Sequence, residues 1–386
     1  MNRREFLQQC GRCALLMAGA QAAPWFLAPG RAAAQNLAPT RGWMGRKLSP
    51  YFTKLDGGVI RCELCPRECE VDVGKRGYCR VRENVEGSYY SLTYGNPCSI
   101  HIDPVEKKPF FHVLPGSRSF SIATAGCNFN CKFCQNWEIS QAKPDDTDNY
   151  ALSPEQVVEA ALRTQSQSIA STYVEPTIFA EYMIDIGNLA KKQGLLKVIH
   201  SNGFINPKPL DDLCASLGAA CIDLKGFTEA YYRDVTEGAL QPVLDTLVRL
   251  KQKGVHTELV NLMITGRNDD MEQVKAMCQW IKNELSPDVP LHFTRFYPMY
   301  KLKSLPPTPV ETLEKARTMA LEVGLHYVYI GNVPGHAGEH TYCPKCGAML
   351  IQRLGFQVQM QQFQDGRCLK CGQAIPGIWK RPGASA

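Results

Sequence analysis

Ser119-Phe120-Ser121-Ile122-Ala123-Thr124-Ala125-Gly126-Cys127-Asn128-Phe129-Asn130-Cys131-Lys132-Phe133-Cys134 is the stretch on which the reading of this chain turns. Ser119–Ala125 reads as a buried strand, apolar and bounded by glycine. Directly after it, the spacing C-x-x-x-C-x-x-C puts three thiolates in one tight loop. Three ligands are one short of a closed Cys₄ iron–sulfur site, which leaves one iron free to bind a chelating substrate. The competing reading is a zinc knuckle or a structural loop, but zinc calls for four ligands and no further Cys or His follows promptly.

Outward from this loop the chain alternates strand-like and helix-like runs. Further strand candidates are Ser168–Val174, Leu196–Ser201, Ala220–Leu224, His256–Ile264, Leu291–Phe296 and the shorter Tyr327–Ile330. Between them, Ser153-Pro154-Glu155-Gln156 opens a helix with a cap, a proline at the first helical position and Gln three residues after the cap. Thr177–Gln193 and Pro242–Lys253 read as helices that stop at Gly194 and Gly254. Asp270–Leu285 and Val310–Val323, the latter followed by Gly324, complete the set. Strand–helix alternation with short links predicts an α/β fold with a parallel sheet, closed or partly closed into a barrel. Chemistry in such a fold sits in the loops at the C-terminal ends of the strands.

The three-cysteine loop resembles the radical S-adenosylmethionine (SAM) superfamily, whose signature is C-x-x-x-C-x-aromatic-C, with Phe133 in the aromatic place. The resemblance implies a partial (β/α)₆ barrel over about 119–335. It also implies that Cys127, Cys131 and Cys134 ligate three irons of a 4Fe–4S cluster whose fourth iron is chelated by the amino and carboxylate groups of SAM. A reduced cluster in that superfamily passes one electron to the sulfonium, and the resulting 5′-deoxyadenosyl radical abstracts hydrogen from the substrate. Tyr173-Val174-Glu175-Pro176 stands where relatives carry a G-G-E-P-like segment, with Tyr and Val in place of the glycines; Glu175 supplies a carboxylate for the methionine ammonium. Its alternative role is a charge favoured at a helix N-terminus. Asn202, in Ser201-Asn202-Gly203, is placed to hold a polar part of the ligand. Asp223-Leu224-Lys225 resembles the D-L-K segment of glycyl-radical activating enzymes, though Asp223 and Lys225 also read as a plain ion pair. Arg295 and Tyr297 are further candidates for cofactor or substrate.

The chain has 386 residues, 44% hydrophobic and 21% charged, with 17 cysteines and a net charge of +6. An odd cysteine total argues against a closed disulfide framework. Half of the positive excess falls in residues 1–34, where four Arg oppose one Glu, so the remainder gives no call for a nucleic-acid partner. No apolar run reaches the roughly 20 residues that span a bilayer. Arg3-Arg4-Glu5-Phe6-Leu7, an Ala-rich apolar stretch and Ala32-Ala33-Ala34 read in order as a twin-arginine signal over 1–34. That predicts a periplasmic or membrane-tethered protein, whereas SAM and low-potential electron donors point to the cytoplasm.

Two flanking cysteine sets frame the predicted barrel. Cys62, Cys65, Cys69 and Cys79, within a linker and Cys-rich segment over 35–117, suit zinc or a second iron–sulfur cluster. Cys343-Pro344-Lys345-Cys346-Gly347 and Cys368-Leu369-Lys370-Cys371-Gly372 are two knuckles of a zinc-ribbon or rubredoxin-like module over 336–379, followed by a tail at 380–386; zinc is favoured there over iron. Asp103-Pro104-Val105-Glu106-Lys107-Lys108-Pro109-Phe110-Phe111-His112 reads either as a solvated loop or as a strap across the barrel mouth, with Lys107 or His112 facing substrate. Together these segments resemble the radical SAM enzymes of the AmmeMemoRadiSam system, a group similar to pyruvate formate-lyase activating enzymes. That likeness implies a low-potential electron donor, a protein substrate, and Memo-like and Ammecr-like partner proteins. A different reading of the same metal sites and signal is an exported iron–sulfur and zinc electron-transfer protein without radical catalysis.

Overall fold

The structure is a computed structural model and describes residues 38–381. The twin-arginine segment with Cys10 and Cys13, and the chain end at 382–386, lie outside the described residues.

Strands Ser99–Pro104 (β1), Arg118–Ala123 (β2), Ser168–Ser171 (β3), Leu196–Ser201 (β4), Ala219–Asp223 (β5), His256–Met263 (β6), Leu291–Arg295 (β7) and Val328–Gly331 (β8) form one eight-stranded sheet in unbroken chain order. β2 to β8 are all parallel, and β1 pairs antiparallel with β2. The six-unit barrel expected from the resemblance is thus extended by a seventh parallel strand at one edge and by antiparallel β1 at the other. Helices Pro154–Arg163 (α1), Ala180–Lys192 (α2), Pro207–Cys214 (α3), Gln241–Gln252 (α4), Met271–Trp280 (α5) and Val310–Val323 (α6) fill the connections. The expected cap of α1 is present: Ser153 Oγ accepts from the Gln156 N–H at 3.3 Å, and Gln156 Oε1 accepts from the Ser153 N–H at 2.8 Å.

The six helices pack on one face of the sheet. Ile122, Ile169, Ile199, Ile222, Leu259, Phe293 and Ile330 share a single buried cluster with Val157, Ile186, Leu213, Leu247, Met277 and Ala316 from the helices. A one-sided helix layer on a parallel sheet is the barrel arrangement, in contrast to the two-sided layering of open doubly wound folds. Each Val, Leu, Ile, Phe or Met side chain of this set contributes about 1.5–3 kcal/mol on burial.

The opposite, inner face is filled from the strands' N-terminal ends to their middles by the segment after β1. Val105, Phe110, Val113 and Leu114 pack with Ala170, Leu196, Val198, Cys221 and Val260. This corrects the mouth-strap expectation, because the segment plugs the end of the sheet remote from the three-cysteine loop. His112 is fully buried, with Nε2 2.7 Å from the Tyr329 hydroxyl and Nδ1 2.6 Å from the Pro376 carbonyl, so it faces no substrate. Lys107 pairs with Asp103 at 2.9 Å near the surface. The C-terminal strands Met349–Leu354 and Gln357–Met360 form a hairpin whose Arg353, fully buried, donates to the Phe111 carbonyl at 2.7 Å and so fastens that module to the plug. On the helix side, the short N-terminal strands are anchored to α2 by a buried Arg82–Glu181 pair at 2.5 Å. Among the described residues no helix is long and apolar enough to cross a membrane.

Candidate functional site

The residues singled out in the sequence gather at the C-terminal edge of the parallel strands. Cys127 follows β2, Glu175 follows β3, Asn202 follows β4 directly, Asp223 ends β5 with Lys225 just beyond, and Arg295 ends β7. Antiparallel β1 runs the other way, with Ser99 opposite Ala123 at the end of β2.

The three-cysteine loop is braced on every side. Gly126 has φ +92°, and a Cβ there would lie 2.5 Å from Val81 and 2.6 Å from the Cys79 carbonyl, so both conformation and space demand glycine. The Asn130 and Lys132 N–H groups donate to the carbonyls of Thr236 and Val235, each at 3.0 Å. Arg67 donates to the Asn128 carbonyl at 2.6 Å and to the Glu237 carbonyl. Phe129 packs on Phe204, with ring centroids 5.0 Å apart.

Two of the three sulfurs have a polar partner, but burial keeps the free thiols protonated. Cys127 Sγ accepts from the Phe129 N–H at 3.3 Å, and Cys134 Sγ lies 3.3 Å from Ser140 Oγ. Burial, followed by the Glu175 carboxylate, pushes the Cys127 thiol well up. Burial lifts Cys131 to about 12, although the charge of Lys225 pulls against it. Thiols so buried ionise when a cation binds them. Among the described residues the one His/Cys/Asp/Glu set drawn together for a single ion is Cys343, Cys346, Cys368 and Cys371, with ligand atoms within 4.8 Å of one another. Cys127, Cys131 and Cys134 form no such set. Three thiols that share a loop but do not converge on one point fit a multi-iron cluster better than one zinc ion.

Asp223 and Lys225 do pair, at 2.7 Å, and His200 Nε2 adds a contact to the other Asp223 oxygen at 2.8 Å. Burial alone would raise the Asp223 pKa, but Lys225 and then His200 outweigh it and hold the carboxyl well below its usual range. Lys225 lies 5.5 Å from the Phe133 ring centre, so the pair also places a fixed positive charge beside the loop. Glu175 is 3% exposed. Its Oε1 accepts from Thr177 N–H at 2.9 Å and Ser201 Oγ at 2.7 Å, and Oε2 accepts from Asn202 N–H at 2.7 Å. The helix-start role weighed for Glu175 is therefore present, and Oε2 keeps acceptor capacity. Asn202 Nδ2 donates to Asn128 Oδ1 at 2.8 Å and its Oδ1 accepts from Phe204 N–H at 2.9 Å, which ties the loop after β4 to the cysteine loop.

Tyr173, in the place the resemblance gives to a glycine, holds left-handed backbone that favours glycine, at φ +68°. Its hydroxyl donates to Asp103, which also takes Lys107 and the buried Lys108; Lys108 Nζ lies 2.9 Å from the Tyr173 oxygen. These contacts offset a backbone strain of order 1–3 kcal/mol. Arg295 donates to the Thr308 carbonyl at 2.7 Å, and Tyr297 is 41% exposed at the rim.

The sequence profile of the Radical SAM superfamily matches residues 121–281, the span from β2 through α5 that carries the cysteine loop. The chain belongs to the radical SAM superfamily. An uncharacterized protein of Methanocaldococcus jannaschii is 44% identical over 327 residues, covering 84% of this chain and 97% of that relative. The pyruvate formate-lyase-activating enzyme of Clostridium pasteurianum is 22% identical over 227 residues, covering 54% of this chain and 90% of that enzyme. A crystal structure of a radical SAM methyltransferase from Sphaerobacter thermophilus aligns with TM-score 0.47 at 13% identity, covering 79% of this chain and 83% of that one.

Membership in the radical SAM superfamily implies a 4Fe–4S cluster and SAM, and the thiol set of the β2 loop suits the first of these. The four C-terminal cysteines fit a metal-binding module, as their spacing suggested. Several residues of this radical SAM edge escaped the sequence reading. His200 is one; strand alternation places it on the inner face with Val198, next to Cys221. Arg67 is another, within the C-P-R-E-C run, and nothing local announces that it reaches across to Asn128.

Proposed function

We propose that this protein is a radical SAM enzyme that acts on a protein substrate, in the manner of an activating enzyme. In this reading Cys127, Cys131 and Cys134 hold a 4Fe–4S cluster, and Glu175, Asn202, Asp223, Lys225 and Phe133 shape the SAM side of it. The observation that carries the reading is the braced three-thiol loop at the C-terminal edge of a parallel sheet, with no single-ion convergence of its sulfurs. When bound, the cluster and SAM supply one-electron reductive cleavage of the sulfonium and a 5′-deoxyadenosyl radical for hydrogen abstraction.

The chain's own residues do the rest. Lys225 offsets thiolate charge beside Cys131 and is itself kept protonated: burial works against its charge, but Asp223 and then Cys131 outweigh it. Glu175 orients the loop after β4 through Ser201 and Asn202 and places its carboxyl next to Cys127, where burial pushes its pKa up. Arg67 and the Asn128–Asn202 pair fix the cysteine loop, so the geometry is set before any ligand arrives. The plug from Val105 to Leu114 closes the far end of the inner face to water, which leaves the C-terminal edge as the side of entry.

The activating-enzyme character rests on the D-L-K segment and on the pyruvate formate-lyase-activating relatives. The partners we infer are a low-potential electron donor, the substrate protein, and Memo-like and Ammecr-like proteins of an AmmeMemoRadiSam system. Zinc is the metal we assign to Cys343, Cys346, Cys368 and Cys371, and export through the twin-arginine route is the localisation we infer from residues 1–34. The test is anaerobic reconstitution with iron and sulfide, followed by SAM and dithionite. Formation of 5′-deoxyadenosine that is lost in Cys131→Ala supports the reading. A filled iron site that yields no 5′-deoxyadenosine rejects it and favours the electron-carrier alternative.

A further inference from the structure

The Cys62–Cys79 segment has the local build of a thiolate cradle. Cys62 N–H donates to the Cys69 carbonyl at 2.9 Å, and Glu68 N–H to the Cys65 carbonyl at 3.1 Å, which folds three cysteines into one tight turn. Gly77 brings the fourth alongside: a Cβ at Gly77 would lie 3.7 Å from the Cys69 sulfur and 2.9 Å from the Tyr89 hydroxyl. Cys79 follows two residues later.

Backbone amides are aimed at the sulfurs in a repeated pattern. The Leu64, Arg67 and Val81 N–H groups lie beside the sulfurs of Cys62, Cys65 and Cys79, each from two residues ahead. The same relation joins Phe129 to Cys127 in the β2 loop and Gln373 to Cys371 in the C-terminal module. Tyr89, fully buried, places its hydroxyl near Cys62 Sγ and against Gly77. Donors pointed at sulfur stabilise thiolate and orient metal ligands. Two non-glycine residues hold left-handed backbone beside these cysteines, Glu68 at φ +43° and Arg80 at φ +69°. Arg80 follows Cys79 as Gly347 (φ +68°) follows Cys346 and Gly372 (φ +74°) follows Cys371. Strain kept at non-glycine positions marks a site that needs that turn.

The set differs from the C-terminal module in one respect. The four C-terminal sulfurs converge on single-ion distances, and among the described residues this N-terminal set does not. The β2 loop, against which it is packed, likewise does not meet single-ion distances. The Cys79 carbonyl lies against Gly126, Arg67 reaches the Asn128 carbonyl, and Asn206 N–H donates to the Leu64 carbonyl at 3.0 Å.

We propose that Cys62, Cys65, Cys69 and Cys79 ligate a second iron–sulfur cluster of the 4Fe–4S type, seated directly beside the β2 cysteine loop. All four corners of this cluster are taken by thiolate, so it binds no SAM. Its donor set is independent of the radical reading and survives loss of the β2 cysteines.

The test uses the full chain, purified without oxygen, in wild type and in Cys127→Ala/Cys131→Ala/Cys134→Ala. Iron, acid-labile sulfide and zinc are counted, and Mössbauer and EPR spectra are recorded. The expected result for the triple variant is about four iron and four sulfide per chain, with an EPR signal after reduction that SAM leaves unchanged. Wild type is expected to hold about twice that iron, which decides the matter should the triple variant fail to fold. In Cys62→Ser/Cys69→Ser the iron of the wild type is halved while its SAM-responsive signal stays. A wild type with about four iron and about two zinc per chain would overturn the proposal, as would a folded triple variant free of iron. If the β2 site alone is misread, the triple variant still keeps its cluster, so the two claims fail separately.

Discussion

Asn202 and Asn128 are joined side chain to side chain at 2.8 Å, one at the end of β4 and the other next to the first cysteine of the β2 loop. Asn128 Nδ2 in turn donates to the Phe204 carbonyl at 2.8 Å, so the two amides close a ring between the loops. Both side chains are buried, at 1% and 5% exposure, where an orphaned amide is costly. Asn202→Ala strands Asn128 Oδ1 and the Phe204 N–H. The expected loss is about 1–3 kcal/mol in urea unfolding, together with lower iron retention after gel filtration. Undiminished iron retention would show that the ring does not brace the cysteine loop.

The Arg82–Glu181 pair lies in the interior between the N-terminal strands and α2, with side chains 0% and 6% exposed. Removal of one partner leaves an uncompensated buried charge, so Arg82→Met is expected to cost about 3–5 kcal/mol. Arg82→Met/Glu181→Leu is expected to recover a large part of that loss. A double-mutant cycle by chemical denaturation measures it, and a double variant as unstable as the single one would refute the pairing argument.

Lys197 gives the chain a pH signature. It is 2% exposed, and its Nζ donates to Ser171 Oγ at 2.7 Å and to backbone carbonyls, with no carboxylate partner among its hydrogen bonds. Burial pulls its pKa from 10.5 down to about 7. Between those values the unfolded chain holds a proton that the folded chain lacks, so stability rises with pH through this window. Lys108, lowered to about 8 by burial against the pull of Asp103, slopes the same way. The comparison that isolates Lys197 is with Lys197→Met: its stability advantage over wild type should be largest at pH 6.5 and shrink by pH 9.5. Parallel stability curves would contradict the assignment.

The C-terminal module is expected to hold one zinc that a mercurial reagent releases. Its loss should expose the hairpin at Met349–Met360 to protease while iron at the β2 loop is kept, because the module docks at the far end of the sheet through Arg353 and Phe111. Acid acts on the same dock. Burial lowers the His112 pKa to about 4, and the Glu258 charge opposes that shift only in part. His112 therefore stays neutral in the fold, and the stability this represents is present above pH 6.5 and lost as pH falls toward 4. Limited proteolysis from pH 7 to pH 4 should show the module cut first.

Much of the parallel sheet was legible because its strands are buried on both faces and read as short apolar runs between glycine-stopped helices. Leu196–Ser201 and Val310–Val323 fall where periodicity placed them. β1 was not legible: Ser99–Pro104 alternates polar residues and ends in proline, and only its pairing with β2 makes it a strand. α3 has no place among the helices read from the sequence, although Pro207 and Pro209 fall in its first turn, where proline is well placed. The cysteine spacing located the site, but its bracing by Arg67, His200 and Tyr173 depends on contacts between segments far apart in the chain. The plug showed the limit most clearly, since Val105–Leu114 looks like a charged surface strap until Phe110 and Val113 are seen against Val198 and Cys221.

In the proposed function, three β2-loop thiolates hold a cluster with one iron left open for SAM. The direct measurement is the EPR spectrum of the dithionite-reduced protein, in the Cys62→Ser/Cys69→Ser background, with and without SAM. SAM is expected to change the g-values of the reduced cluster, and SAM made with a labelled amino nitrogen to show hyperfine coupling to it. A reduced cluster whose spectrum and couplings are indifferent to SAM would contradict the claim.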